Sequence, residues 1–149
     1  MPTTRSLLLI TVACLAVGLL CIGYGYFIEP GRLAVNRYDM DIADWDPAFN
    51  GFRVALISDI HAGSNGVTAD KLSKIVEAAN AENADAIFLL GDYVSQASGR
   101  MPDGRRGVKV EPAEIAEGLS GLRAQFGVYV VLGNHDEWYD PQAVGRAFE

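Results

Sequence analysis

Histidine and cysteine are scarce in this 149-residue chain, with two of each. Both cysteines, Cys14 and Cys21, fall in one apolar stretch near the start. Seven residues apart on a helix they are about 10.5 Å from one another, beyond the reach of a disulfide. No intrachain disulfide framework is available, and the rest of the chain, without cysteine, is silent on redox compartment. A lipid-modified Cys14 after Val12-Ala13 is disfavoured because Thr11 stands where that signal needs an apolar residue. Positive charge is also in deficit: 12 Lys and Arg against 19 Asp and Glu leave a net charge of −7, which argues against general nucleic-acid binding.

Charge is missing altogether from Ser6 to Ile28. That run is long enough to cross a hydrocarbon core of about 30 Å at roughly 1.5 Å per residue. Tyr24, Tyr26 and Phe27 fall at its far end, where amphipathic rings favour the headgroup region, and Glu29-Pro30-Gly31 stops the helix. The reading is a single-pass anchor. The competing reading, a cleaved signal peptide, is weakened by the length of the run and by the lack of a clear Ala-x-Ala site. Arg5 with the terminal amine on one side nearly balances Arg32 and Arg37 on the other, so orientation leans only slightly toward an extracytoplasmic domain. The expected organisation is a tail at 1–5, a transmembrane helix at 6–28, a linker with an edge strand at 29–50, and one domain from 51 to 149. The edge strand rests on loose apolar and polar alternation from Leu33 to Ile42.

Three short apolar runs punctuate that domain: Val54 to Ile57, Ala86 to Leu90 and Val128 to Leu132. Each reads as a buried strand, and each ends in polar, metal-ligating chemistry. The first leads into Ser58-Asp59-Ile60-His61, the second into Gly91-Asp92, the third into Gly133-Asn134-His135-Asp136. Asp59 and His61, two apart on a chain still close to extended, are expected to point to one side. Between the strands, Leu72, Ile75, Val76 and Ala79 recur at helical steps behind Thr68 as N-cap, and Ile115, Leu119, Leu122 and Phe126 do so behind Pro112. Alternating strands and helices give an α/β class with a parallel sheet, in which ligands bind beyond the carboxyl ends of the strands. Asp59, His61, Asp92, Asn134 and His135 therefore converge on one crevice. The stretch from Ser95 to Glu111 reads as a solvated loop, whose Arg100, Arg105 and Arg106 could attract an anionic substrate or lipid headgroup. Asp140-Pro141 reads as a cap and first turn of a further helix. The loop His-Ala-Gly-Ser-Asn-Gly after the first strand is not the Gly-x-Gly-x-x-Gly turn of a dinucleotide-binding module.

Asp-x-His, Gly-Asp and Gly-Asn-His-Asp in that order, at successive strand ends from Arg53 to Asp140, resemble the calcineurin-like metallophosphoesterase family. The resemblance implies an N-terminal transmembrane helix followed by the first βαβαβ half of a metallophosphoesterase α/β sandwich. It also implies a hydrolase of phosphate esters that uses two divalent ions (Mn, Fe or Zn) and a bridging hydroxide as nucleophile. On this resemblance Asp92 bridges the ions, Asp59 and His61 serve the first, and Asn134 serves the second. His135 contacts the phosphate as the catalytic histidine, with Asp136 as its orienting residue.

Two departures qualify the resemblance. Asp92 is followed by Tyr93-Val94-Ser95-Gln96 where the protein phosphatase branch has Val-Asp-Arg-Gly, so Ser95 cannot supply the carboxylate that partners the histidine there. The family also completes its metal sites with later histidines, one alone and two in Gly-His-x-His, whereas this chain has only His61 and His135. The expectation is therefore a domain incomplete at its C-terminus, a fragment with an exposed apolar sheet face and little activity alone. The substrate of the complete protein is expected to be a phosphorylated small molecule or a lipid-linked phosphate. The rival is a non-enzymatic, membrane-tethered metal-binding or interaction module.

Overall fold

The computed structural model describes residues 3–64, 66–100, 104 and 106–149. The chain divides into two compact units, residues 1–32 and 33–149. The first is essentially one helix, α1 (Thr4–Phe27), whose N-terminus is capped by Thr3 accepting from the Ser6 N–H. It is apolar on every side and buries none of its residues. Through a following 3-10 turn, Glu29–Gly31, the segment is long and apolar enough to cross a membrane by length and composition. Cys14 and Cys21 are free thiols exposed on it.

The second unit begins irregularly. Leu33–Ile42 forms no strand, contrary to the alternation in its sequence. Its apolar residues find nothing to cover them: Val35 is 42% and Met40 78% exposed, so the pattern has no buried face to reward it. A planar fork ties this segment down, with Arg37 Nε and Nη2 donating to the two carboxylate oxygens of Glu82 at 2.7 and 2.6 Å. That guanidinium holds the Glu82 carboxyl below its ordinary range.

Three parallel strands form the sheet: β1 (Val54–Ile57), β2 (Ala86–Leu89) and β5 (Val128–Val130), in the order β1-β2-β5. Leu56, Phe88 and Tyr129 stand in register across it. Because side chains alternate, the opposite parity forms the other face. On that inner face Ile87 and Leu89 pack into one core with Leu72 and Ala79 of α2 (Ala69–Ala81) and Ile115 and Leu119 of α3 (Pro112–Leu119). Val144 of α5 (Pro141–Ala147), a helix capped by Asp140, completes it. The outer face is uncovered, with Leu56 65%, Tyr129 51% and Val131 53% exposed. Phe126 is also exposed, because α3 ends at Leu119 before its periodicity can carry that ring into the core; instead the ring lies 5.4 Å from Phe52.

The polar stretch after β2 is more ordered than its composition suggests. It forms an antiparallel hairpin, β3 (Gln96–Arg100) and β4 (Arg106–Val108), with Gln96 opposite Val108. A last short helix, α4 (Asn134–Tyr139), follows β5 directly.

Where β2 and β5 end, two glycines let the chains touch. A Cβ on Gly91 would collide with the Gly133 backbone, and one on Gly133 with the Asp92 carboxylate and amide; Gly91 also sits at φ +94°. Behind them Tyr93 is fully buried. Its hydroxyl accepts from the Gly91 N–H at 3.2 Å and has the carbonyls of Leu89 and Val131 as acceptors at 2.9 and 2.8 Å, bridging the two strands. Burial, opposed by the Gly91 N–H and reinforced by the nearby Asp136 carboxylate, pushes this phenol from its ordinary 10.0 up to about 12. The unfolded chain releases that proton near 10 and the folded chain only near 12, so in between the unfolded state binds fewer protons and stability falls as pH rises. Thermal unfolding of the full chain should show this alkaline loss, and Tyr93→Phe should flatten it; an equally steep loss in the variant would contradict the assignment.

Candidate metal centre

The site grows from the loops that leave the three strands. Asp59, His61 and Asp92 all adopt left-handed backbone, at φ +55°, +44° and +57°. For side-chain-bearing residues this costs on the order of 1–3 kcal/mol each and persists only where the surroundings enforce it. The enforcement is visible in a row of backbone bonds that carries the β1–β2 pairing past the strand ends. Asp59 N donates to Gly91 O at 3.1 Å, His61 N to Asp92 O at 2.9 Å and Ala62 N to Tyr93 O at 2.8 Å. Asp59 and His61 are thus brought together by two left-handed residues flanking buried Ile60, rather than by continued extension of β1.

Four of the five expected residues come close together. His61 Nε2 lies 3.8 Å from Asp59 Oδ1 and 3.8 Å from Asp92 Oδ2. Candidate ligand atoms of His61, Asp92 and His135 all fall within 4.8 Å of one another, and the two imidazoles meet edge to face at 4.6 Å. Asp59 is the most open member, its side chain 67% exposed and accepting from Ser58 Oγ at 2.5 Å. Asn134 opens α4 beside His135 and is exposed. His61 Nδ1 stands 3.3 Å from the Val94 carbonyl; since a carbonyl only accepts, Nδ1 carries the proton and Nε2 is left toward the carboxylates. An imidazole braced in this way beside carboxylates is the usual setting of a metal-binding histidine. The mixed N and O donors suit a borderline divalent cation such as Mn²⁺, Fe²⁺ or Zn²⁺.

Asp136 does not orient the His135 ring. Its carboxylate is fully buried and accepts four backbone N–H groups: Asp92 at 2.8 Å, Tyr93 at 3.0 Å, Val94 at 3.2 Å and Gly133 at 2.9 Å. It joins the loop after β2 to the loop after β5, while Asp92 Oδ1 returns a bond by accepting from the His135 N–H at 2.8 Å. The partner of the His135 ring is Gln96, whose Oε1 meets Nδ1 and whose Nε2 donates to the His135 carbonyl at 3.0 Å. Trp138 lies against the same ring at 5.0 Å and is 58% exposed. Neither Gln96 nor Trp138 is singled out by the motifs; the available signals are the unusual Tyr-Val-Ser-Gln continuation after Asp92 and the three-residue helical step from His135 to Trp138.

Arg100 and Arg106 pair through their backbones toward the turn end of the hairpin, with a register shift between this pair and Gln96–Val108. Arg105 lies outside the described residues.

Asp136→Asn tests the scaffold. An amide keeps one acceptor and turns donors toward one pair of the four N–H groups, and unsatisfied buried donors cost about 1–3 kcal/mol each. The thermal midpoint of the full chain should fall by about 10 °C or more; a midpoint near that of the unsubstituted chain would contradict this role.

The family profile described as calcineurin-like phosphoesterase matches residues 52–148. A "Transmembrane protein with metallophosphoesterase domain" from Danio rerio is 30% identical over 130 residues, 87% of this chain and 26% of that protein. A UDP-2,3-diacylglucosamine pyrophosphatase, LpxG, from Chlamydia trachomatis is 31% identical over 111 residues, 73% of this chain and 30% of its own length. A Bos taurus protein with the same name as the Danio rerio one is 30% identical over 104 residues, covering 69% of this chain and 20% of that protein. The chain thus spans less than a third of the length of these curated relatives. No solved structure matches. The profile, the relatives and the three loops that meet at Asp92 agree: this chain belongs to the calcineurin-like phosphoesterase family.

Proposed function

We propose that the protein is a membrane-anchored, metal-dependent hydrolase of phosphate or pyrophosphate esters. The observation that carries this reading is the convergence of His61, Asp92 and His135, with Asp59 beside them, at the ends of three parallel strands. Asp59, His61 and Asp92 would hold a first divalent ion, and Asp92 with Asn134 a second. When bound, such ions generate a nucleophile from water at neutral pH and neutralise charge on the phosphoryl oxygens. His135 faces the substrate and stabilises or protonates the leaving oxygen. Arg100 and Arg106, with Arg105 between them in sequence, extend positive charge along the hairpin for a larger anionic substrate.

The Chlamydia trachomatis relative is named for pyrophosphatase action on UDP-2,3-diacylglucosamine. Together with the apolar helix α1, that supports a phosphate or pyrophosphate linked to a lipid as the substrate class. A second reading is favoured by the histidine count: two imidazoles supply fewer nitrogen donors than a two-ion site of this family calls on. On that reading the 149 residues form a membrane-tethered binder of one ion.

Hydrolysis of bis(4-nitrophenyl) phosphate by the protein purified from its native source, stripped by chelation and reloaded with Mn²⁺, tests the proposal. The expected result is metal-dependent turnover that falls by more than ~100-fold on Asp92→Asn, beyond the loss typical of an outer-shell change. Mn²⁺ binding without turnover would support the second reading. Turnover indifferent to chelation or to Asp92→Asn would contradict both.

A further inference from the structure

Gln96 makes two contacts with one residue. Its amide nitrogen donates to the His135 carbonyl at 3.0 Å, and its Oε1 meets His135 Nδ1. The first contact fixes the second. A carbonyl oxygen cannot donate, so the amide must turn its N–H₂ toward His135 O; a flipped amide would set two acceptors against each other. Oε1 is then committed to the ring, and an amide oxygen only accepts. The imidazole nitrogen facing it must carry a proton.

We infer that Gln96 is the positioning residue of His135, holding it in the Nδ1–H tautomer so that Nε2 is the one ring nitrogen left for a metal ion or for proton exchange with a substrate. The arrangement repeats that of His61, whose Nδ1 faces the Val94 carbonyl, so both imidazoles present the same nitrogen to the site. Gln96 is placed for this at the start of β3, opposite Val108, two residues after Val94, whose amide is held by the Asp136 carboxylate. A neutral amide orients the ring without adding a charge beside Asp92. The use of Nε2 in hydrolysis rests on the phosphoesterase reading; the tautomer does not.

The test reads the tautomer directly. The full chain in detergent micelles, labelled with ¹⁵N-histidine, contains two imidazoles, and spectra are recorded at rising pH until the ring-nitrogen signals no longer change. Two-bond ¹H–¹⁵N correlations distinguish protonated from unprotonated ring nitrogens, and His61→Asn assigns the signals. His135 should show protonated Nδ1 and unprotonated Nε2. Gln96→Ala should shift the tautomer ratio toward Nε2–H, which free imidazole favours, by ~5-fold or more, the ratio one net hydrogen bond sets. Gln96→Glu gives up the bond to the His135 carbonyl but still offers the ring only acceptors, and should keep Nδ1–H. An Nε2–H ring in the unsubstituted chain, or an unshifted ratio in Gln96→Ala, overturns the inference. Should Gln96→Ala also disturb the His61 signals, Gln96→Glu decides: Nδ1–H retained supports it, Nε2–H contradicts it. Because neither metal nor substrate is present, a failure to hydrolyse phosphate esters leaves this result untouched, and the reverse also holds.

Discussion

A single buried carboxylate holds the site together. Asp136 is fully withdrawn from solvent and accepts from the amides of Asp92, Tyr93, Val94 and Gly133. An uncompensated carboxylate there would be expensive, and four N–H donors are what make its burial tolerable. In return the loop after β2 and the loop after β5 lose their freedom to move apart. Every candidate ligand depends on that closure: Asp92 is in one loop, Asn134 and His135 are in the other, and the backbone carbonyls of Gly91, Asp92 and Tyr93 hold the turn that carries Asp59 and His61.

The closure explains the neighbouring sequence. Gly91 and Gly133 are glycines because their backbones meet where a Cβ would collide. Tyr93 is large and buried because its hydroxyl links the two strands just behind that contact. Left-handed residues at Asp59, His61 and Asp92 are held strain, sustained by bonds on either side. The two imidazoles are braced through Nδ1, one by the Val94 carbonyl and one by Gln96. Pre-set geometry of this kind lowers the cost of organising ligands when a cation arrives.

Much of this was legible from local signals. Short apolar runs mark the three strands, Val54–Ile57 to the residue, although only β2 is buried and β1 and β5 have no buried residue. Acids and histidines at their carboxyl ends marked the crevice, because topology places those ends together. What escaped the sequence depends on contacts between distant residues. Leu33–Ile42 alternates like a strand, but it pairs with no sheet edge and its apolar residues stay exposed. Ser95 to Glu111 looked like an unstructured loop because its glycines and arginines carry no apolar period, yet β3 and β4 pair through their backbones. Asp136 beside His135 suggests a ring partner; three of its four real partners are amides forty-odd residues away, and Gln96 takes the ring instead.

The central claim is that these strand-end loops form a divalent-cation site with imidazole among its ligands. Pulsed EPR of the full chain loaded with Mn²⁺ addresses it most directly, since coupling of the manganese electron spin to a bound imidazole nitrogen modulates the echo decay. The account predicts nitrogen modulation that disappears when His61→Asn and His135→Asn are combined. Mn²⁺ held without nitrogen modulation, or with modulation that survives the double substitution unchanged, would contradict it.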